Sequence, residues 1–137
     1  MNKVVKRVVI SASCLVVAAG LFFGGSYLFN FLRYRRIISE IEIRTPSLAQ
    51  VQDGTFNGAF DAIFVAADVD VTVENQRITE VVINEHYFDL DIAVEAEVVA
   101  IDVVENQSLY VDTVSGATNS SLVILKAIQL ALESGVN

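Results

Sequence analysis

An uncharged apolar run near the N-terminus constrains this chain more than any other feature. Residues 8–32 contain no Asp, Glu, Lys or Arg. A helix of about 20 apolar residues crosses the hydrocarbon core of a bilayer, so this run is long enough to do so. Tyr27 and Tyr34 stand where aromatic residues often mark a membrane interface. The run predicts one N-terminal transmembrane helix that anchors the rest of the chain.

Two other interpretations of this run fit its length less well. A cleaved signal peptide has an apolar core of about 7 to 15 residues, although the small residues Ala18, Ala19 and Gly20 could form a cleavage site. Cys14 raises a lipoprotein alternative, but apolar sequence continues far beyond it. As the only cysteine in the chain, it cannot form an internal disulfide. It suits a small apolar position within the anchor.

Charge is divided unequally along the chain. Residues 1–44 carry seven basic and two acidic groups, a net +5, whereas residues 45–137 carry two basic and fifteen acidic groups, a net −13. Such an acidic domain repels nucleic acid and anionic lipid head groups. We therefore expect no nucleic-acid partner and favour a protein partner with a basic docking face. The alternative is that the charge only maintains solubility.

A connector is predicted between the anchor and the acidic domain. Pro46 disfavours helical geometry at Thr45, so any continuation of the anchor helix should end there. The sequence thus predicts three parts. They are an anchor at residues 1–36, a connector at residues 37–52 and a folded domain at residues 53–137.

The hydrophobic period becomes that of β-strands at the start of the folded domain. Residues 55–65 predict one strand or two, and residues 69–74 alternate apolar and polar side chains as a half-buried strand does. Residues 74–77 are a plausible hairpin connection to a further strand at residues 78–84. Because the connection is short, we expect antiparallel pairing.

Residues 89–106 fit two patterns. Apolar residues alternate there with acidic ones, which indicates a strand, yet Ile92, Ala96, Val99 and Val103 also form a helical stripe. β-branched residues weaken the helix interpretation, and the segment is long for one strand. Residues 108–114 follow as an extended approach to the next segment.

A stretch of small and polar residues, 112–121, precedes residues 122–132, whose apolar spacing predicts an amphipathic helix. The hydroxyl groups of Thr118, Ser120 and Ser121 therefore stand at or just before a helix N-terminus. Unpaired backbone amides and the positive end of the helix dipole suit a phosphate there. Hydroxyl residues at this place often serve only as caps, as we expect for Ser120 and Ser121. The stretch lacks the P-loop pattern.

The longer pattern Asp-x-x-Ser-Gly-Ala-Thr-x-x-Ser at residues 112–121 closely resembles the flavinylation motif of FMN-binding domains. Members include the C subunit of the sodium-pumping NADH:quinone oxidoreductase and the G subunit of the related ferredoxin-linked complex. The similarity extends to residues 53–58, to Glu85-His86 and to residues 107–109. It covers residues 53–133.

The resemblance implies a covalent FMN that an FMN transferase joins to Thr118 through a phosphoester. It implies that Asp112 is recognised by the transferase. The other implied cofactor-binding positions are Ser115, Gly116, Ala117 and Ser121. The resemblance also favours a helix within residues 89–106. The expected fold is then α+β, a small antiparallel sheet of three or four strands packed with two helices and preceded by the transmembrane helix.

Electron transfer by a membrane-anchored flavoprotein is the function that the resemblance implies, with the redox chemistry belonging to the cofactor. Three basic residues stand on each side of the apolar run, so the charge bias does not decide its orientation. Because such transferases usually act outside the cytoplasm, we expect a single-pass protein of the cell membrane with its domain outside. The expected partners are the transferase, membrane lipid around the anchor and extracytoplasmic redox proteins.

Two other classes of function remain open at this stage. One is a flavin-dependent reductase of a small molecule, and the other is a non-redox membrane-anchored binding or assembly module. The sequence after His86 departs from the family's usual continuation, and Tyr87 and Phe88 could stack on a flavin or belong to the core. We predict no metal site, because no Cys/His cluster exists. We predict no catalytic residue, because Ser115 lies outside a Gly-x-Ser-x-Gly pattern.

Overall fold

The computed structural model of the protein describes residues 2–88 and 95–136, and the chain divides into two units after Arg35. A long helix, α1 (Lys3–Glu40), makes up the first unit and continues into the second. Among the described residues it is the one helix long and apolar enough to cross a membrane, with a mean hydropathy of 2.2 over 18 residues. The helix ends before Thr45, where Pro46 was expected to stop it.

The second unit is a small α+β domain. Its elements, within the part of the chain that the structure describes, are the strands β1 (Gly54–Asp61), β2 (Val65–Glu74) and β3 (Arg77–Phe88) and the helices α2 (Val98–Asn106) and α3 (Thr118–Ser134). The strands form one antiparallel sheet in the order β1-β2-β3. α3 packs on β1 and β2, while α2 packs on β3 and against α3. The predicted fold class is confirmed, with the smaller of the two expected strand numbers.

β2 shows how the sheet acquires a covered face and an open face. Alternate residues from Val65 to Val73 are buried, and the residues between them are half-buried on the opposite face. The fully buried positions are Val69, Val71 and Val73. Residues 65–68, which were not assigned with this strand, continue the same alternation and pair with the end of β3. This pairing explains why β2 and β3 are both longer than predicted.

The predicted hairpin between β2 and β3 is present. Its two turn residues, Asn75 and Gln76, have φ values of 51° and 63°, and positive φ at both central residues is the mark of a type I′ turn. The predicted helix is present over α2, and residues 89–94 of that segment lie outside the described residues. Ala96, Val99 and Val103 form the buried side of this segment, as the helical stripe predicts.

α3 runs antiparallel to β1. Gly58, in the middle of β1, faces Ala131, and Gly135, just after α3, lies against the ring of Phe56. Positions along α3 therefore increase as positions along β1 decrease. Thr118, the first residue of α3, consequently lies toward the end of the sheet at which β1 ends and β2 begins.

Close packing of α3 on β1 requires a residue without a side chain at position 58. A Cβ added to Gly58 would lie 2.8 Å from the Cβ of Ala131 and closer still to the α3 backbone. Gly58→Ala should therefore lower the free energy of unfolding by about 1–3 kcal/mol or more, because the helix must move away from the strand. Chemical denaturation of the full-length protein measures this change.

The matched control for this prediction is Gly25→Ala, where an added Cβ meets nothing within 4 Å. The control should leave the unfolding of the domain unchanged. Equal stability of Gly58→Ala and the parent protein would contradict the packing described for α3.

Candidate functional site

A tight turn immediately precedes α3. The N–H of Ala117 donates to the carbonyl oxygen of Val114 at 3.0 Å, which closes a four-residue turn with Ser115 and Gly116 at its centre. Gly116 has a φ of 84°. A positive φ at the third residue defines a type II turn, and this position favours glycine because other residues are strained there. The glycine of the motif is therefore explained by backbone geometry.

The N-terminus of α3 has no side-chain cap. The helix begins at Thr118, and the capping position is occupied by Ala117, which has no side-chain oxygen. The first turn also contains no acidic residue. The first amides of a helix have no partners within the helix, and the helix dipole is positive at this N-terminal end. This end of α3 is consequently suited to an anion.

The expectation that Ser120 or Ser121 caps the helix is wrong, since both lie within it. Ser121 is fully buried. Its hydroxyl accepts the N–H of Val114 at 3.1 Å and donates to the carbonyl oxygen of Ala117 at 3.0 Å. These two bonds join the start and the end of the turn to the first part of the helix. Ser121 thus determines how the motif loop sits on α3.

Most of the remaining residues of the motif face solvent. Thr118, Ser115 and Gly116 are exposed, and Ala117 is buried beside them. The four are brought together by the turn and the first residue of α3. Asp112 is exposed two residues before the turn begins. A Thr118 hydroxyl in this position can act as an acceptor for a transferred group.

His86 and Tyr87 lie on opposite faces of the sheet. His86 pairs with Ala67 on the covered face, and its side chain is only 2% exposed, with Nδ1 at 3.4 Å from Oε1 of Glu97. Tyr87 is 61% exposed. Of the two, Tyr87 therefore belongs to the surface and His86 to the interior. The Phe88 side chain lies outside the described part of the structure.

Sequence reasoning missed the residues that hold the connector against the domain. The Oγ1 of Thr45 accepts the N–H of Leu109 at 2.9 Å, just before the motif loop. The Oε1 of Gln129, a buried residue of α3, accepts the N–H of Arg44 at 3.0 Å. The connector is therefore part of the packed domain. A glutamine within the apolar stripe of α3 was the available signal, because a buried amide needs partners.

Gln107 was also missed. Its Oε1 accepts the N–H of Ile78 at 2.9 Å and its Nε2 donates to the Ile78 carbonyl at 2.7 Å. Gln107 itself has a φ of 54° and ends α2. The side-chain amide of Gln107 attaches the end of α2 to the start of the edge strand β3. It fixes the point from which the chain leaves for the motif loop.

The comparisons with known proteins agree with the motif. The model of the FMN-binding domain family matches residues 65–133, half of the chain. Comparison with curated proteins and with solved structures gave no significant match. The matched segment runs from the start of β2 almost to the end of α3 and contains the whole motif loop. The protein belongs to the FMN-binding domain family.

The role of Ser121 leads to a testable expectation. Ser121→Ala leaves the part-buried N–H of Val114 without this partner, while the carbonyl oxygen of Ala117 still accepts the N–H of Ser121. We expect a loss of about 1 kcal/mol in the free energy of unfolding, the low end of the cost of an unsatisfied polar group. Hydrogen exchange at the Val114 amide should also become faster, and mass spectrometry or NMR of the full-length protein measures it.

Ser134→Ala provides the control, because its hydroxyl donates only to the Ala131 carbonyl within the same helix, at 2.7 Å. This variant should leave exchange at Val114 unchanged. Unaltered exchange at Val114 in the Ser121→Ala protein would show that Ser121 does not hold the turn.

Proposed function

We propose that this protein is a membrane-anchored electron-transfer flavoprotein that carries its FMN covalently on Thr118. One observation carries the proposal. The Thr118 side chain is exposed at the first residue of a helix that has neither a side-chain cap nor an acidic residue in its first turn. A phosphate esterified there is stabilised by the helix dipole by about 0.3–1 kcal/mol, or up to about 2 kcal/mol if partly buried.

The residues of the motif fit the attachment of a flavin phosphate. In the proposed transfer, the Thr118 oxygen forms a new bond to the FMN phosphorus of FAD. The phosphoanhydride bond breaks, AMP leaves, and the hydroxyl proton is released. The transferase supplies the catalysis, while this chain supplies an acceptor hydroxyl on a turn with Ser115 and Gly116 exposed beside it. Once bound, the flavin supplies the redox chemistry.

The proposal includes a location. α1 serves as a single-pass anchor in the cell membrane, and the domain lies outside the cytoplasm, where the transferase acts. The apolar length of α1 supports the anchor. The hydrogen bonds that Thr45 Oγ1 accepts from Leu109 and Gln129 Oε1 accepts from Arg44 support a connector packed on the domain. The partners of the protein in this proposal are the transferase, membrane lipid and redox proteins at the membrane face.

Substitution of Thr118 tests the attachment site. A phosphoester needs a side-chain hydroxyl, so Thr118→Val should abolish covalent FMN while nearly preserving the shape of the residue. Thr118→Ser retains a hydroxyl and should be loaded more slowly. The measurement is the flavin absorbance of denatured, washed full-length protein after coexpression with an FMN transferase.

Flavin that remains covalently bound in Thr118→Val would contradict the assignment to this residue. Absence of flavin in the parent protein beside an active transferase would instead support a non-redox binding or assembly module.

A second test concerns recognition by the transferase. Asp112 is exposed close to the turn, so Asp112→Ala should lower the rate of flavin loading without unfolding the domain. Asp53→Ala is the matched control, because it removes an exposed carboxylate outside the motif. A time course of loading with purified transferase measures both. Equal rates for the two variants would count against a recognition role for Asp112.

A further inference from the structure

A cavity of about 310 Å³ opens at one end of the sheet. Its lining comes from the end of β1, the start of β2 and the end of β3, and includes Phe60, Asp61, Asp68, Glu85 and Tyr87. Its volume is at the small end of the range for ligand sites. This is also the end of the sheet toward which α3 begins. The cavity is separate from the motif loop, none of whose residues line it.

Aromatic and acidic groups meet at the mouth of this cavity. In the ladder between β2 and β3, Tyr87 pairs with Ala66 and Glu85 pairs with Asp68, with one pair between them. Side chains two residues apart on a strand lie on the same face. The exposed ring of Tyr87 therefore stands beside the carboxylates of Glu85 and Asp68. The face of an aromatic ring attracts a cation, so this arrangement of a ring and two carboxylates favours a positively charged group.

Two amides hold the carboxylate of Asp68 in place. The Nδ2 of Asn84 donates to Oδ1 of Asp68 at 2.9 Å, and the Nδ2 of Asn57 donates to the same oxygen at 2.8 Å. The hydrogen bond from Asn84, which has the larger effect, and that from Asn57 hold the pKa of Asp68 below its ordinary value. The Asp68 carboxylate is consequently ionised at neutral pH, and its orientation is fixed by the two amides.

Asp61 is fixed at the other side of the cavity. Its Oδ1 accepts the N–H of Ile63 at 2.6 Å, and Ile63 has a φ of 75°. A positive φ is costly for a β-branched residue, so the surrounding bonds must hold this turn. Phe64 N–H to the Ala62 carbonyl, at 2.9 Å, is one of them. The Asp61 carboxylate is thus held by a hydrogen bond within this turn.

The domain itself supplies no cation for this cavity. The second unit has four Lys and Arg side chains. Arg36 and Arg44 pair with Glu40 and Glu42 in the connector, and the other two are Arg77 and Lys126. Arg77 pairs with Glu74 at the hairpin, about 20–26 Å along β2 from the cavity residues 66–68. Lys126 lies on α3 and donates to the Glu42 carbonyl at 3.2 Å. The lining of the cavity therefore contains acidic side chains and no Lys or Arg.

We infer that this cavity is a docking site for a Lys or Arg side chain presented by a partner protein. The cation would contact the ring of Tyr87 and the carboxylates of Asp68 and Glu85, which combines a cation–π contact with charge-assisted hydrogen bonds. Anionic lipid and nucleic acid are repelled by the same charges. Among the described residues, no group of three His, Cys, Asp or Glu side chains could hold a metal ion.

Docking of a Lys or Arg side chain at this cavity does not require a flavin. If the proposed function also holds, docking at this end of the sheet would bring a basic redox partner toward the end of the domain at which α3, and with it Thr118, begins. The docking site and the proposed flavoprotein function can fail separately, because docking is tested on protein without flavin.

The test uses the full-length protein in nanodiscs of zwitterionic lipid, labelled with ¹⁵N. The probe is the blocked peptide Gly-Gly-Arg-Gly-Gly, and its neutral counterpart contains Gln in place of Arg. We expect saturable chemical-shift changes with the Arg peptide at residues 59–61, 66–68 and 85–87 and none with the Gln peptide. Changes of equal size at acidic residues throughout the domain would overturn the inference, since they would indicate non-specific attraction.

Variants at the mouth of the cavity sharpen the test. Glu85→Gln and Tyr87→Leu should each weaken binding of the Arg peptide about three- to fivefold, as expected for an exposed ion pair or cation–π contact. Tyr87→Phe keeps the ring and should bind like the parent protein. Glu80→Gln removes the same charge from the same strand outside the cavity and should have no effect. Equal weakening by Glu80→Gln and Glu85→Gln would contradict a specific site.

Discussion

The close approach of α3 to β1 at Gly58 is the contact on which the rest of the domain depends. Only a residue without a side chain lets the helix backbone come this near the strand. This packing fixes the direction of α3 and buries its apolar face against β1 and β2. It also determines that Thr118 lies toward the end of the sheet where the strands leave a cavity. The position of the site thus follows from packing within the core.

The chemistry of the site follows from what the helix N-terminus lacks. The alanine in the capping position of α3 makes no side-chain cap hydrogen bond, whereas Ser121 uses its hydroxyl to hold the preceding turn. Gly116 permits the type II geometry of that turn. The result is an exposed Thr118 hydroxyl beside a positive helix end. In the proposed function, a covalently bound phosphate takes the place of the missing cap.

Local patterns predicted much of this structure. Alternation predicted the strands, helical spacing predicted α3, and the apolar run predicted α1, because each depends on neighbours close in sequence. The segment at residues 89–106 needed the family resemblance, since its apolar residues fit both periods. The roles of Thr45, Gln107 and Gln129 could not be predicted, because their hydrogen bonds join residues about 30 to 85 positions apart. The motif predicts a candidate site at Thr118, but the capping expectation failed because Ala117 occupies the capping position and Ser121 serves the turn.

Detection of the covalent bond in the unmodified sequence tests the central claim most directly. The full-length protein is coexpressed with an FMN transferase, denatured and run on a gel under ultraviolet light, and its peptides are then fragmented in a mass spectrometer. The account predicts a fluorescent band at the mass of the protein and an FMN adduct on Thr118. A denatured protein without fluorescence, or an adduct on Ser120 or Ser121, would contradict it.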